Sequence, residues 1–219
     1  MIHLSGTLVA DGSSDRLLKP ILEWVLSQHL PPGSAINIQV PDWGRFPRPV
    51  PTLPAKLLAA KEFFTADVYF IHRDTEKTTT WQERSTEIDH DVQQVSTAIS
   101  YVRIVPVQMT ETWLLHNEQA IREAAENPSG RSYIVLPPLK KLEALPDAKM
   151  HLLGILREAS GLTGRRLKKF EAHERRRLHR LADLQQEQGF AVLRALPAFQ
   201  ALEKEIIALV AAWPTSGSS

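Results

Sequence analysis

Carboxylates gather at the ends of three strand-like runs in this sequence. Asp11 and Asp15 follow HLSGTLVA, Asp74 and Glu76 follow ADVYFIHR, and Glu111 follows YVRIVPVQMT. In an open α/β sheet, ligands bind beyond the carboxyl ends of the strands. Acids collected there could hold a divalent cation. Magnesium takes oxygen ligands, only a few of them from the protein, and keeps several waters. Two such ions about 4 Å apart can clamp the attacking and leaving oxygens of a phosphodiester displacement. Each acid also has a plainer role. Asp15 can cap the helix that follows, and Asp11 beside Gly12 is ordinary turn chemistry. Asp74 and Glu76 can be solvated loop acids, and Glu111 in a first helical turn suits the macrodipole. Their coincidence at equivalent strand ends favours a metal site.

The elements that must position these acids follow from the apolar pattern. Residues 2–10 read as a strand ending in the turn-like DGSSD, and 16–30 as a helix with an apolar stripe, stopped by Pro31, Pro32 and Gly33. Residues 35–40 read as a second strand, and 41–54, with five prolines, as an irregular surface loop. A short helix over 55–64 precedes a strand at 67–73 rich in β-branched and aromatic residues. A helix over 81–98, a strand at 101–107 and helical text from Thr110 to Glu126 complete the series. Strand–helix alternation of this kind predicts a parallel sheet of about four strands with helices on both faces. Beyond 136 no strand is expected, only helices near 147–159, 171–188 and 198–212. The expected organisation is an α/β domain over 1–136, a helical appendage over 137–214 and a disordered tail at 215–219.

Composition narrows the chemistry. The chain has 219 residues, a net charge of +1 and no cysteine, which excludes disulfides and thiolate zinc sites. The start lacks a basic segment followed by a long apolar one, so no signal peptide is expected. No run reaches the roughly 20 apolar residues of a membrane span, and a soluble, cytoplasmic protein is expected. Positive charge concentrates in RRLKKFEAHERRRLHR, from Arg165 to Arg180. Arg165, Arg166, Lys168 and Lys169 could hold a phosphate or track a nucleic-acid backbone. A solvated helix face balanced by Glu171 and Glu174 is the plainer alternative. His72, inside a strand, reads as packed or as support for a neighbouring ligand. His90, His116, His151, His173 and His179 show no metal-ligand spacing. Gly12-Ser13-Ser14 is not followed by the G-K-[ST] of an ATP-binding loop, and no G-x-S-x-G elbow occurs.

At these residues the chain resembles the Toprim domain of topoisomerases, primases and nucleases of the overcoming-lysogenization-defect family. Asp11-Gly12-Ser13-Ser14-Asp15 is similar to the E-G-x-x-D motif, and Asp74-Thr75-Glu76 to the later D-x-D. Thr110-Glu111-Thr112-Trp113-Leu114-Leu115 resembles the E-x-W-L-L segment of small stand-alone bacterial relatives. The likeness covers roughly residues 1–126. It implies metal ligation by Asp11, Asp74 and Glu76, with Asp15 and Glu111 serving a second ion or orienting the first. It implies Mg²⁺ or Mn²⁺ as cofactor, and a late basic residue, Lys168 or Lys169, at the phosphate. The implied activity is nuclease cleavage of DNA or RNA by Asp11, Asp74, Glu76, Glu111 and Lys168, in some such proteins as an antiviral effector beside an ATPase. Two positions depart from the pattern: Asp11 stands where Glu is usual, and Glu76 where Asp is usual. They keep open a second reading, a weak or inactive Toprim-like subunit that binds an ATPase or nucleic acid. A hydrolase of small phosphorylated substrates would use the same metal logic.

Overall fold

The computed structural model describes residues 2–10, 12, 15–75, 79–96, 98–107 and 109–213. The expected fold class holds. Four strands, β1 (His3–Val9), β2 (Ala35–Gln39), β3 (Val68–His72) and β4 (Tyr101–Ile104), form one all-parallel sheet in the order β2-β1-β3-β4. The inner strand β3 carries the most continuous apolar text. All five residues of β3, VYFIH, are buried, as a strand covered on both faces requires. The edge strand β2 buries only Ile38.

Alternation along the strands separates two cores. Leu4, Leu8, Val68, Phe70, Val102 and Ile104 point to one side, and Val9, Tyr69 and Ile71 to the other. On the first side lies α1 (Leu18–His29), and on the second α2 (Leu53–Phe63) and α3 (Trp81–Val95). The N-terminus of α3 is fixed by a capping box between Thr80 and Glu83. At Gly6 the inner strands meet the core closely: a Cβ there would stand 2.5 Å from Cε2 of the buried Phe70 ring.

The chain steps outward from β1 to β2, then returns past β1 to β3. That reversal puts a topological switch point between β1 and β3, and ligands of such sheets bind beyond the carboxyl ends of the strands there.

After β4, a 3-10 turn (Thr110–Leu114) leads to α4 (Glu118–Ala124), α5 (Ala148–Ser160), α6 (Gly164–Glu171), α7 (Glu174–Gln188) and α8 (Pro197–Ala212). The helix expected over 171–188 begins at Glu174, because the chain breaks between α6 and α7 at 172–173. These helices share their core with the sheet. One buried cluster contains Leu4, Ile21 and Phe70 together with Leu152, Leu181 and Phe199. On β4, the Arg103 guanidinium donates to Glu205 of α8 and to Asp89 of α3 at 2.7 and 2.8 Å. The tail expected at 215–219 lies outside the described residues. No helix among the described residues is long and apolar enough to cross a membrane.

Candidate metal centre

Three side chains converge at the switch point. Asp15 opens the 3-10 turn Asp15–Leu17 that leads into α1. His72 is the last residue of β3, and Asp74 follows two positions later. One ligand atom from each lies within 4.8 Å of the other two.

Asp15 performs its plain role and the sharper one together. Its Oδ2 accepts from the Gly12 backbone N–H at 2.7 Å, closing the turn after β1. Its Oδ1 lies 3.8 Å from His72 Nε2. The side chain is buried, so the turn holds the carboxylate at a fixed place beneath the surface.

His72 is the centre of the group, with 1 % of its surface exposed. Its Nδ1 stands 3.0 Å from the Ile104 carbonyl of β4. A carbonyl only accepts, so Nδ1 carries the proton and Nε2 is turned to the carboxylates. Nε2 lies 3.3 Å from Asp74 Oδ1 and 3.5 Å from Thr110 Oγ1. A ring N–H tied to a backbone carbonyl, with the other nitrogen aimed at acids, is the arrangement that orients metal-ligating histidines. Burial opposes ionisation of the imidazole. The contact with Asp74, the charges of Asp74 and Asp15, and the Ile104 carbonyl nevertheless carry its pKa above the usual histidine value.

Asp74 is 45 % exposed as a side chain, yet its Oδ1 is buried and accepts no well-aligned hydrogen bond. A buried carboxylate oxygen in that condition is costly unless a charge compensates it. The adjacent loop is anchored by Thr75, whose hydroxyl donates to the Pro106 carbonyl at 3.5 Å.

Glu111, in the 3-10 turn after β4, forms a second layer. Burial pushes its carboxyl pKa up, the Lys149 ammonium draws it back, and the charges of Asp74 and Asp15 push it further up. The Lys149 Nζ lies 3.8 Å from Glu111 Oε1 and comes from the first turn of α5. A second amine, the buried Lys56 of α2, donates to the Ala10 carbonyl at the end of β1 at 3.1 Å.

Of the acids expected from sequence, Asp15, Asp74 and Glu111 come together. Asp11 and Glu76 lie outside the described residues. Lys168 and Arg165 are exposed on α6, and Arg166 and Lys169 stand on the rim of a cleft between α6 and α7. The amine that stands against the cluster is Lys149. Sequence reasoning missed it, and it took His72 for a packed or supporting residue. The available signal was the position of His72 at a strand end, two residues before Asp74.

The donor set fits a divalent cation. Asp15 and Asp74 offer oxygens, and His72 offers an oriented imidazole nitrogen. An imidazole suits manganese, iron or zinc better than magnesium, which prefers an all-oxygen shell. No protein-family model matches the chain, and no curated protein or solved structure matches it significantly.

Proposed function

We propose that this protein is a metal-dependent phosphodiesterase that hydrolyses nucleic acid, with a Toprim-like site built on Asp15, His72 and Asp74. The convergence of these three side chains at the switch point of a parallel sheet carries the reading. A divalent cation bound there would polarise a phosphoryl oxygen and bring the pKa of a bound water toward neutrality. Asp15 and Asp74 would hold and orient the cation. The Ile104 carbonyl keeps His72 in the tautomer that presents Nε2. Glu111 stands behind these ligands, where burial raises its carboxyl pKa and the Lys149 ammonium opposes the rise. Lys149 supplies positive charge for phosphate oxygens. The basic text of α6 and α7 supports a polyanionic substrate over a small one. The imidazole in the donor set favours Mn²⁺ over Mg²⁺ as the cation.

The test is cleavage of labelled DNA and RNA oligonucleotides with Mn²⁺, with Mg²⁺ and with EDTA, alongside nucleotides and a small phosphate monoester. Loss of cleavage in EDTA and in Asp74→Ala is expected. Cleavage that survives both sinks the proposal, and turnover of the small substrates alone would assign the site to a different hydrolase.

A second reading, a non-cleaving subunit that binds a partner such as an ATPase, draws on one surface. Leu58 and Phe63 of α2 are exposed, and the Phe63 ring meets Phe46 of the Pro-rich loop at 5.4 Å. Purified protein that binds Mn²⁺ but cleaves no oligonucleotide, and is isolated with an ATPase, would favour it.

A further inference from the structure

Between α6 and α7 opens a cleft of about 360 Å³. The exposed Arg166, Lys169, Arg176 and Arg180 stand around it. Its floor is the buried Phe170 ring, with the Arg177 guanidinium stacked 3.7 Å from the ring centroid. Arg177 is 8 % exposed and held in place. It donates to the Phe170 and Ala124 carbonyls, both at 3.4 Å, and pairs with Glu126 at 3.0 Å.

Glu126 is the one acid among the described residues lining this cleft. Its backbone sits in the left-handed region at φ 60°, the turn that ends α4, where the Asn127 N–H donates to the Arg122 carbonyl at 3.0 Å. Glu126 thus presents a largely exposed carboxylate to a fixed guanidinium, at a spot where a phosphate could replace it.

The cationic lining does not end there. His173 and Arg176 also line a second hollow, which extends to Arg175, His179 and Arg16 and holds one acid, Asp183. Arg16 directly follows Asp15 of the metal centre. Burial first, then the charges of Arg175 and Arg16, lower the His179 pKa, with Asp183 opposing.

We infer that this strip, from the α6–α7 cleft across Arg16 to Asp15, binds the sugar–phosphate backbone of a single nucleic-acid strand and leads it to the metal centre. The direction of the strand rests on the phosphodiesterase reading, whereas the binding does not. A concave surface lined by several cations suits a strand, which offers repeated phosphates along a flexible backbone. A membrane would instead be met by protruding apolar side chains beside the charges. Within the basic segment, the strip selects Arg166, Lys169 and Arg176, and it adds Arg16 from more than a hundred residues away.

Fluorescence anisotropy of a labelled single strand of about 15 nucleotides, long enough for one binding site, tests the inference on the full chain in EDTA. Arg166→Ala combined with Arg176→Ala is expected to weaken binding at least about tenfold. It should also flatten the slope of log affinity against log salt by about 1.4, or about 0.7 for each phosphate left without its cation. Arg48→Ala combined with Lys61→Ala removes the same charge on the α2 side of the sheet and should change neither quantity. Replacing Arg166 and Arg176 by lysine instead should restore most of the slope. Equal losses in the two alanine pairs, an unchanged slope in the first, or equally tight binding to phosphatidylserine vesicles each overturns the inference. Strand binding through this strip without cleavage in Mn²⁺ would uphold it and remove the catalytic reading alone.

Discussion

His72, at the carboxyl end of the sheet, is buried and His116, beside Phe190, is half-buried, and their surroundings drive them in opposite directions. His72 faces Asp74 and Asp15, and its pKa is raised above the ordinary 6.5. His116 lies with its ring edge-on to Phe190 at 5.9 Å, its Nε2 is buried without a hydrogen bond, and burial pushes its pKa down to about 4. Depth alone therefore does not decide the charge of an imidazole. The carboxylates decide it, and they stand where a parallel sheet opens. The consequences for stability differ in sign. His72 contributes stability that is full below its unfolded value of 6.5 and fades as pH rises through its folded pKa. His116 does the reverse, because the unfolded chain binds its proton first.

The sharpest way to break this contrast is Asp74→Asn, which keeps the shape of the side chain and removes its charge. Mn²⁺ affinity, measured by calorimetry, should fall at least about 100-fold, equivalent to about 2.7 kcal/mol. In the metal-free protein the His72 pKa, read by NMR of the imidazole protons, should fall, bringing His72 closer to His116. An unmoved value would mean that something other than Asp74 separates the two histidines.

The next effect belongs to His116. Between pH 6.5 and about 4 the native state should lose up to about 3 kcal/mol on its account, at about 1.36 kcal/mol for each pH interval of one. Urea denaturation across that window should show the loss in the wild type and a flatter profile in His116→Leu. Parallel profiles would contradict the apolar reading of its surroundings.

The smallest effect concerns the second layer of the centre. Lys149→Met should let the Glu111 pKa rise further, observable by carbon NMR of its carboxyl group. The change should be the smallest of the three, since Lys149 is half exposed and its charge is screened. A fall in the Glu111 pKa would exclude the ammonium as its compensating charge.

Much of the scaffold could be read from local text. The strands, their parallel direction and the helices on both faces follow from apolar runs alternating with amphipathic stretches. Asp15, Asp74 and Glu111 were legible because each sits just past such a run. His72 was not, because its role depends on a partner from another strand. Only the register that sets His72 opposite Ile104 brings the carbonyl of β4 to its Nδ1. Lys149 was hidden for the same reason, lying 38 positions beyond Glu111 on a helix of the expected C-terminal appendage. The apolar stripes of the last helices were visible, but not what they cover. Arg103 and Glu205, which fasten α8 to β4, are 102 positions apart.

That distant clasp bears on the order in which the protein can come into being. During synthesis the inner strands and the Asp15–His72–Asp74 group are complete long before α8 exists. Until its sixteen residues emerge, the core side of the sheet beneath them stays wet and sticky, open to neighbours. A ribosome-bound intermediate of this kind is aggregation-prone, and a chain stalled just short of the last helix would be the form most in need of a chaperone.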